Sequence, residues 1–216
     1  MTTTRVAHGL ESSDPSVRLQ AALAAGTAGD PQIIGALVER CAVEPDFFVR
    51  DMLTWALTRF PAPATVPRLV EELRSEIPQA RSQALHTLSK IGDRQAWPAI
   101  TRSLLTDAHA EVARSAWRAA VVLVPDSEKA ELAAALMTQL GRGDRETRLS
   151  LSRALVALGE VILPALHAAT AEPEPDVREH AIATQQLFRD PDAGFEYAVE
   201  QAKRIVALGP NFVRED

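Results

Sequence analysis

Apolar residues recur along the chain at intervals of four, four and three positions, with polar and charged residues between them. These intervals place the apolar side chains on one face of an α-helix, whereas a half-buried strand would show strict alternation. Three such stripes are Val17, Ala21, Ala25 and Ala28; Val49, Leu53, Leu57 and Phe60; and Ala80, Ala84, Leu88 and Ile91. No segment shows the alternation of a strand, so the sequence predicts an all-α protein.

The helical pattern returns six times along the chain. Its first core position is taken by Val17, Val49, Ala80, Val112, Thr147 and Val177, with spacings of 32, 31, 32, 35 and 30 residues. A fixed period of this length indicates a stack of helical hairpins. We therefore predict a right-handed α-solenoid of about six hairpins that forms a single domain over 1–216. The predicted repeats span 3–28, 31–60, 63–91, 95–123, 127–158 and 160–189.

The segment that follows the sixth repeat has a different pattern. Residues 192–208 predict one longer helix that is polar on one side, with Phe195 and Val199 facing the last hairpin. A repeat stack needs a terminal element with a polar outer face, so we interpret this segment as a capping helix. The tail from Gly209 is expected to be loose.

Acids and arginines recur at the start of the second helix of the repeats. A carboxylate there can accept hydrogen bonds from free backbone N–H groups, and Asp14-Pro15, Asp30-Pro31 and Asp190-Pro191 combine it with a proline that fits a first helical turn. We predict that the acids cap helices and that the arginines bridge neighbouring repeats. We prefer this structural role to the alternative, in which the arginines bind an anion. The ladder consists of Asp14, Arg18, Asp46, Arg50, Arg81, Asp144, Arg148, Glu174 and Arg178.

Prolines recur inside the first helix of three repeats, at Pro67, Pro98 and Pro164. A proline within a helix removes one backbone hydrogen bond and crowds the carbonyl four residues earlier. Its recurrence predicts an outer helix that is bent over its straighter partner in each of these repeats.

This combination of features resembles HEAT repeats, and in particular the phycocyanobilin-lyase type. The shared features are an acid and then Val-Arg at the helix start, Ile-Gly-Asp at its end, and proline in the next helix. The resemblance is clearest at Leu85–Asp107 and covers about residues 14–190. The fourth repeat departs from it, because Ala113 takes the place of the arginine, and repeats two and five lack the proline. The resemblance implies that the second helices line a concave groove.

The positions on the second helices that point away from the core identify a candidate groove. If the first core position of each repeat is numbered zero, the side chains at positions two, three, six and ten of that repeat are expected to face the groove. Ser115 and His180 each occupy position three of their repeat. An aromatic residue, a methionine and several arginines together are typical of protein interfaces. The alternative is that Trp55 belongs to the core and the others are ordinary solvated positions. The candidate groove residues are Met52, Trp55, Arg59, Gln83, His86, Lys90, Arg114, Arg118 and Arg153.

The overall charge disfavours nucleic acid and anionic membranes as partners. The net charge is −6 and the isoelectric point is about 5.4, whereas binding to phosphate backbones needs many cations. No apolar run approaches the roughly 18 residues of a membrane span, and the N-terminus shows no signal-peptide pattern. The single cysteine, Cys41, is interpreted as a small buried residue, which is consistent with a reducing, cytoplasmic setting.

Catalytic and metal-binding patterns are absent from the sequence. It contains no glycine-rich phosphate loop, and the five histidines form no HxxxH or HExxH pair, so we predict neither a metal nor a cofactor. The serines and Cys41 have no neighbouring base in the sequence that would indicate a nucleophile. Trp97 and Trp117 are interpreted as packing residues.

The sequence therefore favours a non-catalytic scaffold or adaptor that binds a protein or peptide, with an acidic segment in its groove. Three alternatives stay open. Alkylpurine DNA glycosylases with HEAT-like repeats place tryptophan and a carboxylate in a basic groove, and Asp51 and Trp55 lie one helical turn apart here. Bilin lyases share the repeat type. A structural subunit of a larger assembly would use its outer, proline-bearing helices instead of the groove.

Overall fold

The computed structural model describes residues 3–190 together with residues 199, 200 and 203. This part of the chain is helical and contains no strand, which confirms the all-α prediction. Its helices are α1 (Thr3–Leu10), α2 (Pro15–Ala28), α3 (Ile34–Val43), α4 (Phe47–Thr58), α5 (Ala62–Glu72), α6 (Pro78–Ile91), α7 (Arg102–Leu105), α8 (Ala110–Leu123), α9 (Lys129–Met137), α10 (Arg145–Ala157), α11 (Leu163–Ala169) and α12 (Pro175–Arg189). Short 3₁₀ segments occur at Pro31–Ile33, Arg94–Ala99, Asp126–Glu128 and Gly159–Ile162.

The chain divides into two compact units. The N-terminal unit comprises residues 1–123 and the C-terminal unit residues 124–216. The assignment of residues 1–216 to one domain stays a prediction.

Helices of the N-terminal unit form two rows. In the first row α2 packs against α4, α4 against α6, and α6 against α8. In the second row α3 contacts α5, and α5 contacts the 3₁₀ segment that precedes α7. Each second-row helix also packs against the following helix of the first row, as in α1 with α2 and α5 with α6. The unit is thus a stack of helical hairpins, in which each hairpin buries apolar area against its neighbours.

The predicted stripes form the core of the N-terminal unit. Val49, Ala80 and Val112, which share the first core position, are all buried. The stripe of α4 is buried along its whole length, and Ile91 at the end of the α6 stripe is half-buried. Equivalent side chains therefore occupy equivalent sites in successive repeats.

The prediction for the stripe of α2 is wrong at both ends. Val17 is 44% exposed and Ala28 is exposed, whereas Ala21 and Ala25 between them are buried. The helix preceding α2 has only 8 residues, against 14 in α2. The short α1 therefore covers only the central turns of α2.

The recurring prolines do not produce three bent helices, which corrects the prediction. Only Pro67 lies within a continuous α-helix, α5. Pro98 lies in the 3₁₀ segment Arg94–Ala99, and α-helix resumes only at Arg102. Pro164 is in the first turn of α11, where its missing N–H costs nothing. A shared sequence position thus gives three different backbone outcomes.

Three ladder acids cap helices through their side chains. Asp14 accepts a hydrogen bond from the Ser16 N–H, Asp46 from those of Phe48 and Val49, and Asp144 from that of Thr147. Asp30 caps the 3₁₀ segment Pro31–Ile33 in the same way.

The predicted side-chain cap is wrong at Glu174. Glu174 precedes α12 but makes no side-chain cap hydrogen bond, because its side chain is one methylene longer than that of aspartate. Asp190 lies at the C-terminal end of α12, and the helix that it is predicted to start lies outside the described residues.

Each ladder arginine donates a hydrogen bond to backbone carbonyls five or six residues earlier, in the loop before its own helix. The distances from guanidinium nitrogen to carbonyl oxygen run from 2.7 to 3.2 Å. The carbonyl partners are Ser12 and Ser13 for Arg18, Glu44 and Pro45 for Arg50, Ser75 for Arg81, Gly143 for Arg148, and Glu172 and Pro173 for Arg178. The arginine thereby fixes the loop that leads into its helix.

Three of these arginines also reach an acid of the next repeat. Arg18 Nη2 lies 2.7 Å from Glu44 Oε1, and Arg81 Nη2 lies 3.0 Å from Asp107 Oδ2. Arg148 Nη2 lies 3.3 Å from Asp176 Oδ1. Among the described residues, Arg50 and Arg178 bond only within their own repeats, contrary to the predicted bridging, and the Arg50 guanidinium instead lies 5.9 Å from the centre of the Phe47 ring.

The C-terminal unit is built around α12. This helix packs against α10 and α11, and Ile182, Ala183 and Leu187 form an apolar cluster against which Val199 also packs. Val199, Glu200 and Lys203 are helical; the rest of the predicted capping helix 192–208, including Phe195, and the tail from Gly209 lie outside the described residues.

Candidate protein-binding surface

Trp55 on α4 is the most prominent side chain of the predicted groove. It is 38% exposed, so it does not belong to the core. Its ring rests on Gly26 of α2, and the Arg59 guanidinium lies 5.9 Å from the ring centre. An indole held between a helix backbone and a cation is a rigid, partly exposed aromatic side chain.

Gly26 is what allows Trp55 to take this position. A Cβ atom at residue 26 would lie 2.6 Å from Cζ3 of Trp55 and 2.8 Å from Cα of Ala56. Both distances are shorter than real carbon contacts, and one of them is to backbone. Sequence reasoning missed this residue, because a glycine inside a run of alanines gives no sign of which ring will lie on it.

Replacing Gly26 by Ala should lower the free energy of unfolding by about 1–3 kcal/mol, because the added methyl group must push α2 away from α4. It should also change the Trp55 fluorescence. Gly35→Ala on α3 is the matched control, since the nearest atom to its added Cβ would be 3.7 Å away. A helix favours alanine over glycine, so the control should be neutral or more stable by up to about 1 kcal/mol. Urea unfolding measures both, and equal effects would contradict the proposed contact.

Charged side chains from three adjacent helices of the first row lie near one another. Burial lowers the pKa of His86 on α6, the positive charges of Arg118 on α8 and Lys90 lower it further, and Asp51 on α4 raises it. His86 therefore stays neutral at pH 7. The side chains of Lys90, Arg118 and Asp51 are exposed. We call Asp51, Trp55, Arg59, His86, Lys90 and Arg118 the α4–α6–α8 face.

The remaining predicted groove residues differ in their accessibility. Met52 and Gln83 are half-buried. Arg114, on α8, is half-buried and is ion-paired with Glu111, and the Arg118 guanidinium donates to Ser115 Oγ at 3.2 Å. Arg153 is exposed but belongs to the C-terminal unit, so it is not included in the α4–α6–α8 face.

Position three does not face a groove in every repeat, which corrects the projection. Ser115 and His180, both at this position, are buried. Position three lies only 60° around the helix from position zero, so it is on the boundary of the core stripe and is covered wherever a neighbouring helix comes close.

His180 instead belongs to a buried polar network of the C-terminal unit. Its Nδ1 accepts a hydrogen bond from the Gly141 N–H at 3.0 Å. Nε2 therefore carries the proton and lies 3.0 Å from both the Arg148 carbonyl oxygen and Ser152 Oγ. Ser152 Oγ lies 2.8 Å from Thr184 Oγ1. The sequence gives no sign of this network, because its members come from different helices.

The other tryptophans and the cysteine have packing positions. Trp117 is completely buried and its Nε1 donates to the Leu105 carbonyl at 2.8 Å, which confirms the packing interpretation; Trp97 is half-buried. Cys41 is buried, and burial raises the pKa of its thiol to about 12. A thiol that stays protonated at neutral pH is a poor nucleophile.

The described part of the chain contains no group of three His, Cys, Asp or Glu side chains that could hold a metal ion. In the same part, no single helix is long and apolar enough to cross a membrane. One pair, Arg145–Ala157 with Gly159–Ala169, meets the length and composition for a span but is bent by 118°.

The hairpins of the first row match a known repeat family. Residues 44–121, which include α4, α6 and α8, match the family model for HEAT repeats. This segment of the chain is similar to HEAT repeats. The match covers the residues of the α4–α6–α8 face, so this face is formed by consecutive HEAT repeats. No curated protein matches the sequence significantly.

Solved structures with the same fold are only distantly similar in sequence. The complex of CpcE and CpcF of phycocyanin lyase from Nostoc sp. PCC7120 aligns with a TM-score of 0.52 and 17% identity, covering 99% of this chain and 92% of that one. An engineered protein aligns with a TM-score of 0.49 and 20% identity, covering 94% of this chain and 98% of the other. Human deoxyhypusine hydroxylase aligns with a TM-score of 0.46 and 19% identity, covering 96% of each chain. At these identities the likeness to the lyase shows the fold alone.

Proposed function

We propose that this protein is a non-catalytic adaptor and that its α4–α6–α8 face binds an acidic segment of a protein partner. The observation that carries the proposal is the position of Trp55, partly exposed and held beside Arg59 on the same face as Lys90 and Arg118. Tryptophan and arginine dominate binding energy in protein interfaces.

The charges of the face favour an acidic ligand. Arg59, Lys90 and Arg118 are exposed cations, against one exposed acid, Asp51. His86 adds no charge at pH 7, because burial and the nearby cations lower its pKa. A segment that carries both carboxylates and an apolar side chain can pair with the cations and cover the Trp55 ring. The chain as a whole is acidic, which favours a local contact over binding along a phosphate backbone.

The setting that we propose is the cytoplasm, and the proposal needs neither a metal nor a cofactor. Cys41 is buried in the core of the N-terminal unit, where a free thiol is compatible with a reducing compartment.

Peptides selected from a random displayed library test the face directly, because such a library contains acidic, basic and neutral sequences alike. Selected peptides should be rich in Asp and Glu and should contain at least one large apolar residue. Trp55→Ala and Arg118→Glu should each weaken their binding at least about tenfold, the effect of losing a central contact. Binding should also weaken with added salt.

Two matched variants control for general loss of an aromatic residue or a charge. Phe48→Ala removes an exposed aromatic ring of the same helix, and Arg94→Glu reverses an exposed charge in the second row; neither should change binding. Selected peptides that lack acids, or that bind the Trp55→Ala variant as well as the wild type, would contradict the proposal. So would displacement of the peptides by duplex DNA at moderate salt.

A further inference from the structure

A pocket of about 360 Å³ opens in the N-terminal unit, away from the residues of the α4–α6–α8 face. It lies between the end of α5, the start of α6, and the chain from Pro98 to Asp107. Its apolar wall includes Leu73, Pro98 and Leu104. Its charged wall has two cations, Arg74 and Arg81, and one acid, Asp107. This volume is within the range of pockets that hold small organic ligands.

The break in the second-row helix accounts for the pocket. Pro98 is near the end of the 3₁₀ segment Arg94–Ala99, and the chain is extended at Thr101 before α7 begins at Arg102. An uninterrupted helix would carry its side chains across this region towards α5. The extended residues instead line a concavity beside the last turn of α5.

Arg81, which lines the pocket, has one unsatisfied donor. Its Nη1 donates to the Ser75 carbonyl at 2.8 Å and its Nη2 to Asp107 at 3.0 Å, but its buried Nε has no hydrogen-bond partner among the described residues. A buried N–H without a partner costs free energy, and native proteins rarely leave one so.

Arg18, the equivalent arginine of the first repeat, makes the Nε hydrogen bond that Arg81 lacks. Arg18 uses both Nε and Nη2, each 2.7 Å from an oxygen of Glu44. Asp107 is one methylene shorter than Glu44, and its other oxygen accepts the His109 N–H at 2.8 Å. The guanidinium edge that is fully paired in Arg18 is therefore only half paired in Arg81.

We propose that this pocket binds the carboxylate of a small organic acid, with the apolar body of the acid against Leu73, Pro98 and Leu104. Arg74, which is exposed, provides a second cation at the opening. The Arg81 guanidinium, which is held in place by Ser75 and Asp107, contributes its charge to the polar wall of the pocket. This site does not depend on the proposed binding of a protein segment.

Benzoate and 4-methylpentanoate are suitable probes, and their neutral amides are the matched ligand controls. NMR titration of the full chain into the millimolar range should show saturable shifts at Leu73, Thr101 and Leu104 with the acids and none with the amides. Arg74→Gln should weaken binding about threefold, the size expected for one exposed charge pair. Ala99→Phe, which fills the pocket without changing a charge, should abolish it.

Arg102→Gln is the matched protein control, because Arg102 is an exposed residue next to the pocket-lining Thr101 but does not line the pocket itself. It should bind the acids as the wild type does. Absence of saturable shifts with both acids, equal binding of acids and amides, or equal weakening by Arg102→Gln would each overturn the proposal. Arg74→Gln changes only an exposed side chain, so it keeps the test valid if Ala99→Phe fails to fold.

Discussion

Replacing Glu44 by Gln should lower the free energy of unfolding of the N-terminal unit by about 3–5 kcal/mol, because it leaves a buried arginine without its counter-charge. Glu44 is 0% exposed. Its carboxylate accepts hydrogen bonds from Arg18, from Arg40 at 2.8 Å and from the Asp46 N–H at 2.9 Å. Arg18 is itself buried, so water cannot replace the lost charge.

The same residue makes the unit sensitive to acid. Burial alone would raise the pKa of Glu44, but the hydrogen bonds from Arg18, the Asp46 N–H and Arg40 lower it to about 2. The folded pKa is below the unfolded value of about 4.3, so the ionised group adds stability that is fully present above pH 5 and is lost as the pH falls towards 2. This contribution is up to about 3 kcal/mol.

Urea unfolding at pH 7 and pH 3, followed through NMR signals of α4, measures both effects. The loss of stability between these pH values should be smaller in Glu44→Gln than in the wild type. Glu39→Gln, which removes an exposed acid of the same helix, α3, should behave as the wild type does. A Glu44→Gln protein as stable as the Glu39→Gln protein at pH 7 would refute the importance of the buried pair.

Acidification should destabilise the C-terminal unit at a higher pH, through His180. Burial lowers the pKa of His180 to about 4, its hydrogen bond to the Arg148 carbonyl opposes this, and the Arg148 charge adds to it. The folded pKa is below the unfolded value of about 6.5, so the unfolded chain binds the proton first. About 3 kcal/mol of stability should be present above pH 6.5 and lost between pH 6.5 and pH 4. Protonation of Nδ1 would also direct an N–H at the Gly141 N–H, which now donates to it.

Urea titrations at pH 7.5, 5.5 and 4.0, followed through NMR signals of α12, test this expectation. A His180→Gln variant should be less stable at pH 7.5 and should lose most of the dependence on pH. His167→Gln, an exposed histidine of α11, should leave both properties unchanged. An α12 unfolding midpoint that does not move between pH 7.5 and 4.0 in the wild type would show that His180 is not the group responsible.

The helices and their buried faces could be predicted from the sequence because periodicity depends on local spacing. Val49, Ala80 and Val112 are equivalent by spacing alone, and all three are buried. Prediction failed where the outcome depends on neighbours that spacing does not show. Val17 has the same position in its repeat but is exposed, because the neighbouring helix α1 is too short to cover it.

The side-chain contacts were less predictable than the helices. Trp55, Arg59, Lys90 and Arg118 are exposed at the positions where the projection places them. Glu44 and Gly26 were missed, because one derives its role from a buried arginine 26 residues earlier and the other from a ring 29 residues later. The repeat pattern places Pro98 correctly in the second row, but whether a helix bends or changes to 3₁₀ depends on packing against α5.

The arginines that bind the carbonyls of their own loops have a consequence for how such a chain can lengthen. A duplicated segment of about thirty residues that contains the arginine would also contain the carbonyls that it binds, because the two lie within six positions of each other. A tandem gene duplication could therefore add a hairpin without compensating changes elsewhere. A single-residue insertion between Ser75 and Arg81 would break the hydrogen bond between them. Variation in chain length should therefore concentrate outside the short segments between each arginine and its carbonyl partners.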